Sequence, residues 1–272
     1  MLIGVPKEIK NHEYRVGLAP SSVREVIAHG HEVQVQANAG EGIGATDDDY
    51  RAVGATIVDD PSQLFNAADM IVKVKEPLES ERKLLREGQV LFTYLHLAPD
   101  PEQTIDLLES GAVCIAYETV TSPSGGLPLL APMSKVAGRM AIQAGAHCLE
   151  HPHGGRGMLL GGVPGVDPAK VVILGAGMVG THATHIAVGM GANISVVDRN
   201  PNVLESHWQQ FGHSTNSVYS TSEAVQHHVL EADLVLGGVL IPGATVPKMV
   251  TAELLPHMKA GTEILGTRMY QD

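Results

Sequence analysis

Short apolar runs alternate with segments of helical periodicity along the first half of the chain. The runs predict β-strands at residues 2–5, 33–35, 56–58, 70–74, 90–94 and 113–117. Apolar positions three or four residues apart predict helices at residues 21–29, 47–53, 79–86 and 101–110. Alternation of this kind is typical of parallel strands joined by right-handed crossovers.

The second half repeats the pattern. Strands are predicted at 171–174, 194–197, 234–236 and 263–265, with helices from 178 to about 190 and from about 202. Between the halves, the alanine-rich stretch 135–149 follows Ser134, a favourable N-cap residue, so a helix is expected to begin there. The prediction is an α/β protein with two domains of parallel β-sheet flanked by helices, residues 1–132 and 133–272.

A glycine motif follows the strand predicted at 171–174. Gly175 allows a tight turn, Gly177 allows close approach of a pyrophosphate, and Gly180 allows the next helix to pack on the strand. Asp198 ends the next strand and can accept hydrogen bonds from ribose hydroxyls. The second domain is therefore predicted to be a Rossmann domain that prefers NAD to NADP, a preference moderated by Arg199.

Composition excludes several classes of partner. A net charge of −12 leaves no basic stripe for nucleic acid, and no apolar run approaches the length of a membrane span. The chain starts with a strand-like segment that does not resemble a signal peptide. Cys114 and Cys148 lie in apolar stretches and are interpreted as buried small hydrophobes. These features predict a cytoplasmic protein.

Three polar residues follow predicted strands of the first domain, where parallel sheets bind ligands. Arg15 offers a planar fork of donors for a carboxylate, Lys75 a point charge for a carbonyl oxygen, and His96 a group that can pass a proton. Each has an ordinary alternative: a surface ion-pair partner, a solvated strand-end charge and a loop histidine. Their common position makes them candidates for a substrate site.

Histidine spacing raises the question of a metal. His147, His151 and His153 lie close together in the sequence, but no cysteine or carboxylate pattern is recognised that completes a site. No metal site is predicted.

Five motifs together resemble bacterial NAD-dependent alanine dehydrogenase, in a family shared with the transhydrogenase alpha subunit. They are Gly4-Val5-Pro6-Lys7-Glu8 with Glu13-x-Arg15, Val72-Lys73-Val74-Lys75-Glu76-Pro77, Tyr94-Leu95-His96, Pro132-Met133-Ser134 and Leu174-Gly175-Ala176-Gly177. The resemblance implies reversible oxidative deamination of L-alanine to pyruvate and ammonium, with hydride passing to NAD. It implies that Arg15 and Lys75 hold the substrate and that His96 is the general acid/base. It also implies that the cofactor is lined by Ser134, Met178, Val179, Asp198, Ser220, Val239 and Leu240.

The resemblance breaks near the end of the chain. Members of the family bring a second catalytic acid, an Asp, to the nicotinamide, whereas Tyr270 stands at that place here and the chain stops at Asp272. The first domain therefore lacks its C-terminal return segment, and the expectation is a truncated enzyme of impaired activity. Family members are typically hexamers, but elements that support assembly are absent, so a homo-oligomer is not firmly expected.

Two other functions stay open at this point. One is a non-catalytic NAD-binding remnant or interaction subunit descended from the enzyme. The other is the nucleotide-binding subunit of transhydrogenase, which exchanges hydride between nicotinamides. Retention of Lys75 with Tyr94-Leu95-His96 favours the amino-acid enzyme over transhydrogenase.

Overall fold

A computed structural model describes residues 1–123, 125–239 and 248–266. The chain forms two compact units, Met1–Leu130 and a second unit that begins at Ala131. Among the helices of the described residues, none has both the length and the apolar character that crossing a membrane requires.

The first unit is a parallel sheet with helical crossovers. Its strands are β1 (Leu2–Val5), β2 (Glu32–Gln36), β3 (Thr56–Val58), β4 (Met70–Val72), β5 (Val90–Thr93) and β6 (Val113–Ala116). Its helices are α1 (Pro20–Ala28), α2 (Asp47–Ala52), α3 (Pro61–Ala67), α4 (Glu79–Arg82) and α5 (Pro101–Glu109). The sheet order is β3-β2-β1-β4-β5-β6, and every neighbouring pair is parallel.

Local sequence sets where several of these helices start. Thr46 caps α2 by accepting from the Asp49 amide, and the Asp49 carboxylate accepts from the Thr46 amide. Asp60 and Asp100 cap α3 and α5, each followed by a proline in the first turn, where no amide proton is needed. The start of each of these helices is therefore set within a few residues of the chain.

The strand order reverses direction between β1 and β4. From β1 the chain winds outward through β2 and β3, and from β4 it winds the other way through β5 and β6. Crevices for ligands open at such a switch point, beyond the carboxyl ends of the strands. The loops after β1, β4 and β5 are therefore the part of this unit best placed to bind a small molecule.

A buried ion network lies at this switch point. The Lys73 ammonium is fully buried and contacts Glu8 at 3.1 Å and Glu81 at 2.6 Å. The second oxygen of Glu8 accepts from the Val74 amide at 2.6 Å, and that of Glu81 accepts from the Leu78 amide at 2.9 Å. The network fixes the path of the chain directly after β4.

The second unit is also a parallel sheet. It contains α6 (Ala131–Cys148), β7 (Lys170–Leu174), α7 (Met178–Gly189), β8 (Asn193–Asp198), α8 (Pro201–Phe211), β9 (Asn216–Tyr219), α9 (Ser222–Glu231), β10 (Leu234–Gly237) and β11 (Glu263–Gly266). The strand order is β11-β10-β7-β8-β9, with all neighbours parallel. The central strands β7, β8 and β10 bury nearly continuous apolar runs, as strands covered on both faces do.

The predicted α/β class is confirmed, but several boundaries were wrong. Helix α6 begins at Ala131 rather than after Ser134, because Pro132 fits the first turn and places Ser134 inside it. Strand β4 ends at Val72, since the Val74 amide donates to the Glu8 carboxylate instead of to a neighbouring strand. Helices α3 and α9 and strand β9 were not predicted.

The buried network gives a stability prediction. We expect Lys73→Met to destabilise the chain by about 3–5 kcal/mol, because it leaves two carboxylates buried without their cation. Lys7→Met removes an exposed ion pair with Glu41 and should cost less than about 1 kcal/mol. Urea unfolding followed by circular dichroism measures both, and equal midpoints for the two variants would contradict this interpretation.

Candidate functional site

The three glycines of the turn after β7 differ in backbone conformation and in the space around them. Gly175 has φ of +100°, a conformation that side chains disfavour. A Cβ on Gly180 would lie 1.8 Å from the Gly175 carbonyl oxygen, so only glycine fits. A Cβ on Gly177 would meet no atom within 4 Å. Gly175 and Gly180 are thus needed for the fold, whereas Gly177 borders open space.

The helix that follows the turn presents an uncovered N-terminus. Helix α7 begins at Met178, its N-cap is Gly177 without a side-chain cap, and no acidic residue occupies its first turn. The first amides of a helix have no partner within it, and the helix dipole favours an anion there. This end of α7 can therefore bind a phosphate group.

A cavity of about 860 Å³ opens in the second unit above this helix end. Its lining includes most of the predicted cofactor residues, namely Ser134, Gly175, Gly177, Met178, Val179, Asp198, Ser220 and Val239. Gly180 packs against Gly175 and does not line the cavity. Leu240 lies outside the described residues. The lining also includes Arg199, which was expected to moderate the cofactor preference, and residues without a predicted role such as Gln226 and His257.

Asp198 ties the glycine turn to the end of the neighbouring strand. One carboxylate oxygen accepts from the Ala176 amide at 2.8 Å, and the other accepts from the Asn200 amide at 2.8 Å. Each oxygen keeps a second lone pair. The side chain is therefore oriented in advance and can still accept from a hydroxyl in the cavity.

Arg15 of the first unit is held by Glu13. The Arg15 Nε and Nη2 donate to the two oxygens of Glu13 at 2.8 and 2.6 Å. The hydrogen bond from the guanidinium lowers the pKa of Glu13, whereas burial of the carboxylate raises it. The hydrogen bond from the Arg15 amide and the positive charges of Arg15 and Lys75 lower this pKa further. Two of the five N–H donors of the guanidinium are engaged by Glu13, so the others stay available to a ligand.

Lys75 follows β4 in a loop that Glu8 shapes. The Glu8 carboxylate accepts from the amides of Val74 and Lys75 at 2.6 and 3.3 Å. The Lys75 ammonium lies 3.6 Å from Glu76, and its charge reaches Glu13. The charges of Arg15 and Lys75 therefore act on the same carboxylate, in the loops beyond the carboxyl ends of β1 and β4.

His96 adopts a left-handed backbone conformation, with φ of +48°. Such a conformation is unfavourable for a residue with a side chain and persists only when the surroundings impose it. Glu118, two residues beyond β6, imposes it by accepting from the His96 amide at 2.7 Å and the Leu95 amide at 3.1 Å. The His96 ring stacks on Tyr94 with centroids 6.5 Å apart.

Tyr94 lies near both His96 and Arg15. Arg15 interacts electrostatically with the Tyr94 hydroxyl, whose pKa is raised by burial against the opposing effect of that cation. The structure thus brings Arg15, Lys75 and His96 to the same edge of the first sheet. This arrangement can bind an anion and pass a proton beside it.

Sequence reasoning gave no role to Glu8 and Glu118, the acids that shape these loops. Both stand just after a strand, as Lys75 and His96 do, whereas Arg15 lies farther along the loop after β1. Their partners lie on the neighbouring strand in space, so finding them requires the order of strands in the sheet. The prediction about Tyr270 and Asp272 concerns residues outside the described part of the chain.

The glycine turn, the uncovered helix N-terminus and the acid at the end of β8 are features of the Rossmann class of dinucleotide-binding domains. Two family profiles match the chain, "Alanine dehydrogenase/PNT, N-terminal domain" over residues 4–137 and "Alanine dehydrogenase/PNT, C-terminal domain" over residues 141–265. The chain belongs to the alanine dehydrogenase/PNT family.

Individual relatives agree with this assignment. An alanine dehydrogenase of Halomonas elongata is 52% identical over 271 residues, and one of Mycolicibacterium smegmatis is 51% identical over 271 residues. In both cases the match covers 100% of this chain and 73% of the relative.

Solved structures show the same likeness. A structure of L-alanine dehydrogenase superposes with a TM-score of 0.91 at 50% identity, covering 98% of this chain and 73% of the other. A transhydrogenase of Sinorhizobium meliloti gives a TM-score of 0.81 at 25% identity, covering 97% and 77%. Fold and family imply a nicotinamide dinucleotide cofactor, and the space beside Gly177 fits its pyrophosphate.

Two glycine variants separate folding from cofactor binding. We expect Gly180→Ala to destabilise the chain by about 3 kcal/mol, because the new methyl group collides with backbone. Gly177→Ala should cost less than about 1 kcal/mol and weaken NADH binding about 10-fold, since its methyl group enters the cavity. Thermal unfolding and NADH fluorescence titration measure the two effects. A Gly177→Ala protein with unchanged NADH affinity would argue against this location for the pyrophosphate.

Proposed function

We propose that this chain catalyses the NAD-dependent interconversion of L-alanine and pyruvate. In the oxidative direction L-alanine, NAD⁺ and water give pyruvate, ammonium, NADH and a proton. The observation that carries the proposal is the convergence of Arg15, Lys75 and His96 at one sheet edge, in a chain about half identical to alanine dehydrogenases.

In this proposal Arg15 and Lys75 bind and orient the substrate. Glu13 holds the guanidinium of Arg15 from one side, and the donors that remain pair with the substrate carboxylate. The Lys75 ammonium donates to the carbonyl oxygen of pyruvate and stabilises negative charge that develops there. Glu8 supports this geometry because it binds the Lys75 amide.

His96 acts as general acid and base. Its imidazole gives a proton to the oxygen that leaves the substrate carbon as water during amination, and takes one in the reverse direction. Glu118 fixes the backbone that carries it, and the ring stacks beside Tyr94, which limits the orientations that the ring loses on binding. When bound, the nicotinamide supplies or accepts the hydride.

The preference for NAD rests on Asp198. Its carboxylate faces the cavity with both oxygens oriented by backbone amides, and a 2′-phosphate near it would meet a negative charge. We also propose a reducing, cytoplasmic environment, to which the two free cysteines are suited. Assembly into a homo-oligomer stays a prediction from the resemblance.

Transhydrogenase is the second candidate, supported by the fold likeness to the Sinorhizobium meliloti protein. Such an activity would use the dinucleotide cavity and would have no need of Lys75 and His96. The lower identity of that protein, 25% against 50% for the L-alanine dehydrogenase, makes it the weaker proposal.

The direct test is oxidation of NADH by the 272-residue chain in the presence of pyruvate and ammonium. We expect turnover that needs both compounds. We expect His96→Asn to lower kcat about 10²–10⁴-fold with little change in NADH affinity, because it removes only the proton carrier. His29→Asn, the same change on a distant exposed helix end, should behave as wild type.

Other outcomes of this test point elsewhere. NADH binding without turnover would contradict the proposed activity and support a non-catalytic dinucleotide-binding protein. Hydride transfer to a nicotinamide analogue in place of pyruvate would support transhydrogenase. Full activity of His96→Asn would refute the role of that histidine.

A second prediction concerns the cofactor. We expect Asp198→Asn to shift the ratio of NADH to NADPH affinity by about 10-fold towards NADPH, because it removes one negative charge near the ribose. Glu253→Gln removes a charge from another part of the same cavity lining and should shift the ratio much less. Fluorescence titration with both cofactors measures the ratio, and equal shifts in the two variants would show a general effect of cavity charge.

A further inference from the structure

Helix α6 ends in a corner that carries two histidines and a glutamate. His147 lies in the last turn of α6, and His153 ends a short 3₁₀ helix that begins at His151. Glu150 lies between them in the sequence and in space. All three side chains are exposed, with 61%, 57% and 43% of the side chain accessible for His147, Glu150 and His153.

The three side chains converge. The Glu150 oxygens lie 3.8 Å from His147 Nδ1 and 3.7 Å from His153 Nε2, and the two imidazole rings have centroids 3.8 Å apart. One ligand atom from each residue lies within 4.8 Å of the others. Ligands of a tetrahedral zinc ion are roughly 3.4 Å apart, given bonds of about 2.0–2.1 Å. Small rotations of exposed side chains cover the difference.

The backbone of this corner is fixed by its own hydrogen bonds. The Glu150 carbonyl accepts from the amides of His153 and Gly155 at 3.0 and 3.2 Å. A Cβ on Gly155 would lie 2.2 Å from the Cys148 carbonyl oxygen, so the turn requires glycine there. The His151 ring is used differently, since its Nδ1 pairs with the Gly155 carbonyl. The donors therefore stand on a rigid frame.

We propose that His147, Glu150 and His153 bind a Zn²⁺ ion. Two neutral imidazoles and one carboxylate are a ligand set that suits zinc, with the remaining position open to water. Sequence reasoning dismissed a metal here because no carboxylate was recognised beside the histidines. Glu150 supplies that carboxylate, and of the three histidines considered, His147 and His153 converge on it while the His151 ring pairs with Gly155.

The zinc site is separate from the dinucleotide cavity. Ser134 lines that cavity near the start of α6, and the 13 residues from Ser134 to His147 span about 20 Å of helix. None of the three ligands lines the cavity. The ion would tie the end of α6 to the segment that follows it and would stabilise this corner without taking part in hydride transfer.

Zinc titration tests the site directly. With Zn²⁺ alone as the probe, in competition with a fluorescent zinc indicator, we expect one tight equivalent per chain. His147→Ala/His153→Ala should weaken it about 100-fold or more, and Glu150→Gln about 10-fold. The matched control is His227→Ala/His228→Ala. It removes two histidines that are adjacent to each other on α9 and should leave the zinc affinity unchanged. Mg²⁺ at the same concentration should not displace the zinc.

Thermal unfolding gives an independent readout. Zinc at about 100 times its Kd should raise the Tm of wild type by several degrees, and a chelator should reverse the rise. The His147→Ala/His153→Ala protein should keep the metal-free Tm and show no rise. Unchanged zinc affinity in that variant, or loss of binding in the control instead, would overturn the proposal, as would the absence of any tight equivalent in wild type.

Discussion

Both sheets depend on carboxylates that reach from the end of one strand to the backbone amides of its neighbour. Asp198 of β8 binds the amide after β7, Glu8 binds the amides after β4, and Glu118 binds the amides after β5. Amides just beyond a strand lose their ladder partners, and burying them unpaired would be costly. A charged acceptor is a strong partner for them. The loops that would hold ligands are therefore held in place by carboxylates from the neighbouring strand.

The same device appears at the opposite ends of the strands. Asp69, before β4, accepts from the Leu2 amide of β1, and Asp233, before β10, accepts from the Lys170 amide of β7. In both units the pair joined is the one at which the strand order reverses. The switch point of each sheet, where no single crossover connects the neighbours, is thus held by side chains as well as by the ladder.

Much of the fold could be predicted because apolar runs and helical periodicity report burial directly. Strands β1 and β3 were predicted at their observed bounds, since their residues are mostly apolar and are followed directly by Pro6 and Asp59. Strand β9 was missed because Asn216 and Ser217 interrupt its apolar character at the edge of the sheet. The start of α6 was misjudged because a capping preference at Ser134 competed with the preference of Pro132 for a first turn.

Some residues of the candidate site could likewise be predicted from the sequence, and others could not. The glycine motif is local, so Gly175, Gly177 and Gly180 could be assigned roles from spacing alone. Glu118 could not, because it acts on residues more than twenty positions away in the sequence, on the loop after the neighbouring strand. Asp198 has a consequence for engineering, since the side chain that we propose to set the cofactor preference also supports the glycine turn. Substitutions at this position alone could make room for a 2′-phosphate, but they would also remove the acceptor that orders the glycine turn. Reversing specificity cleanly calls for a second substitution that restores an acceptor for the Ala176 amide.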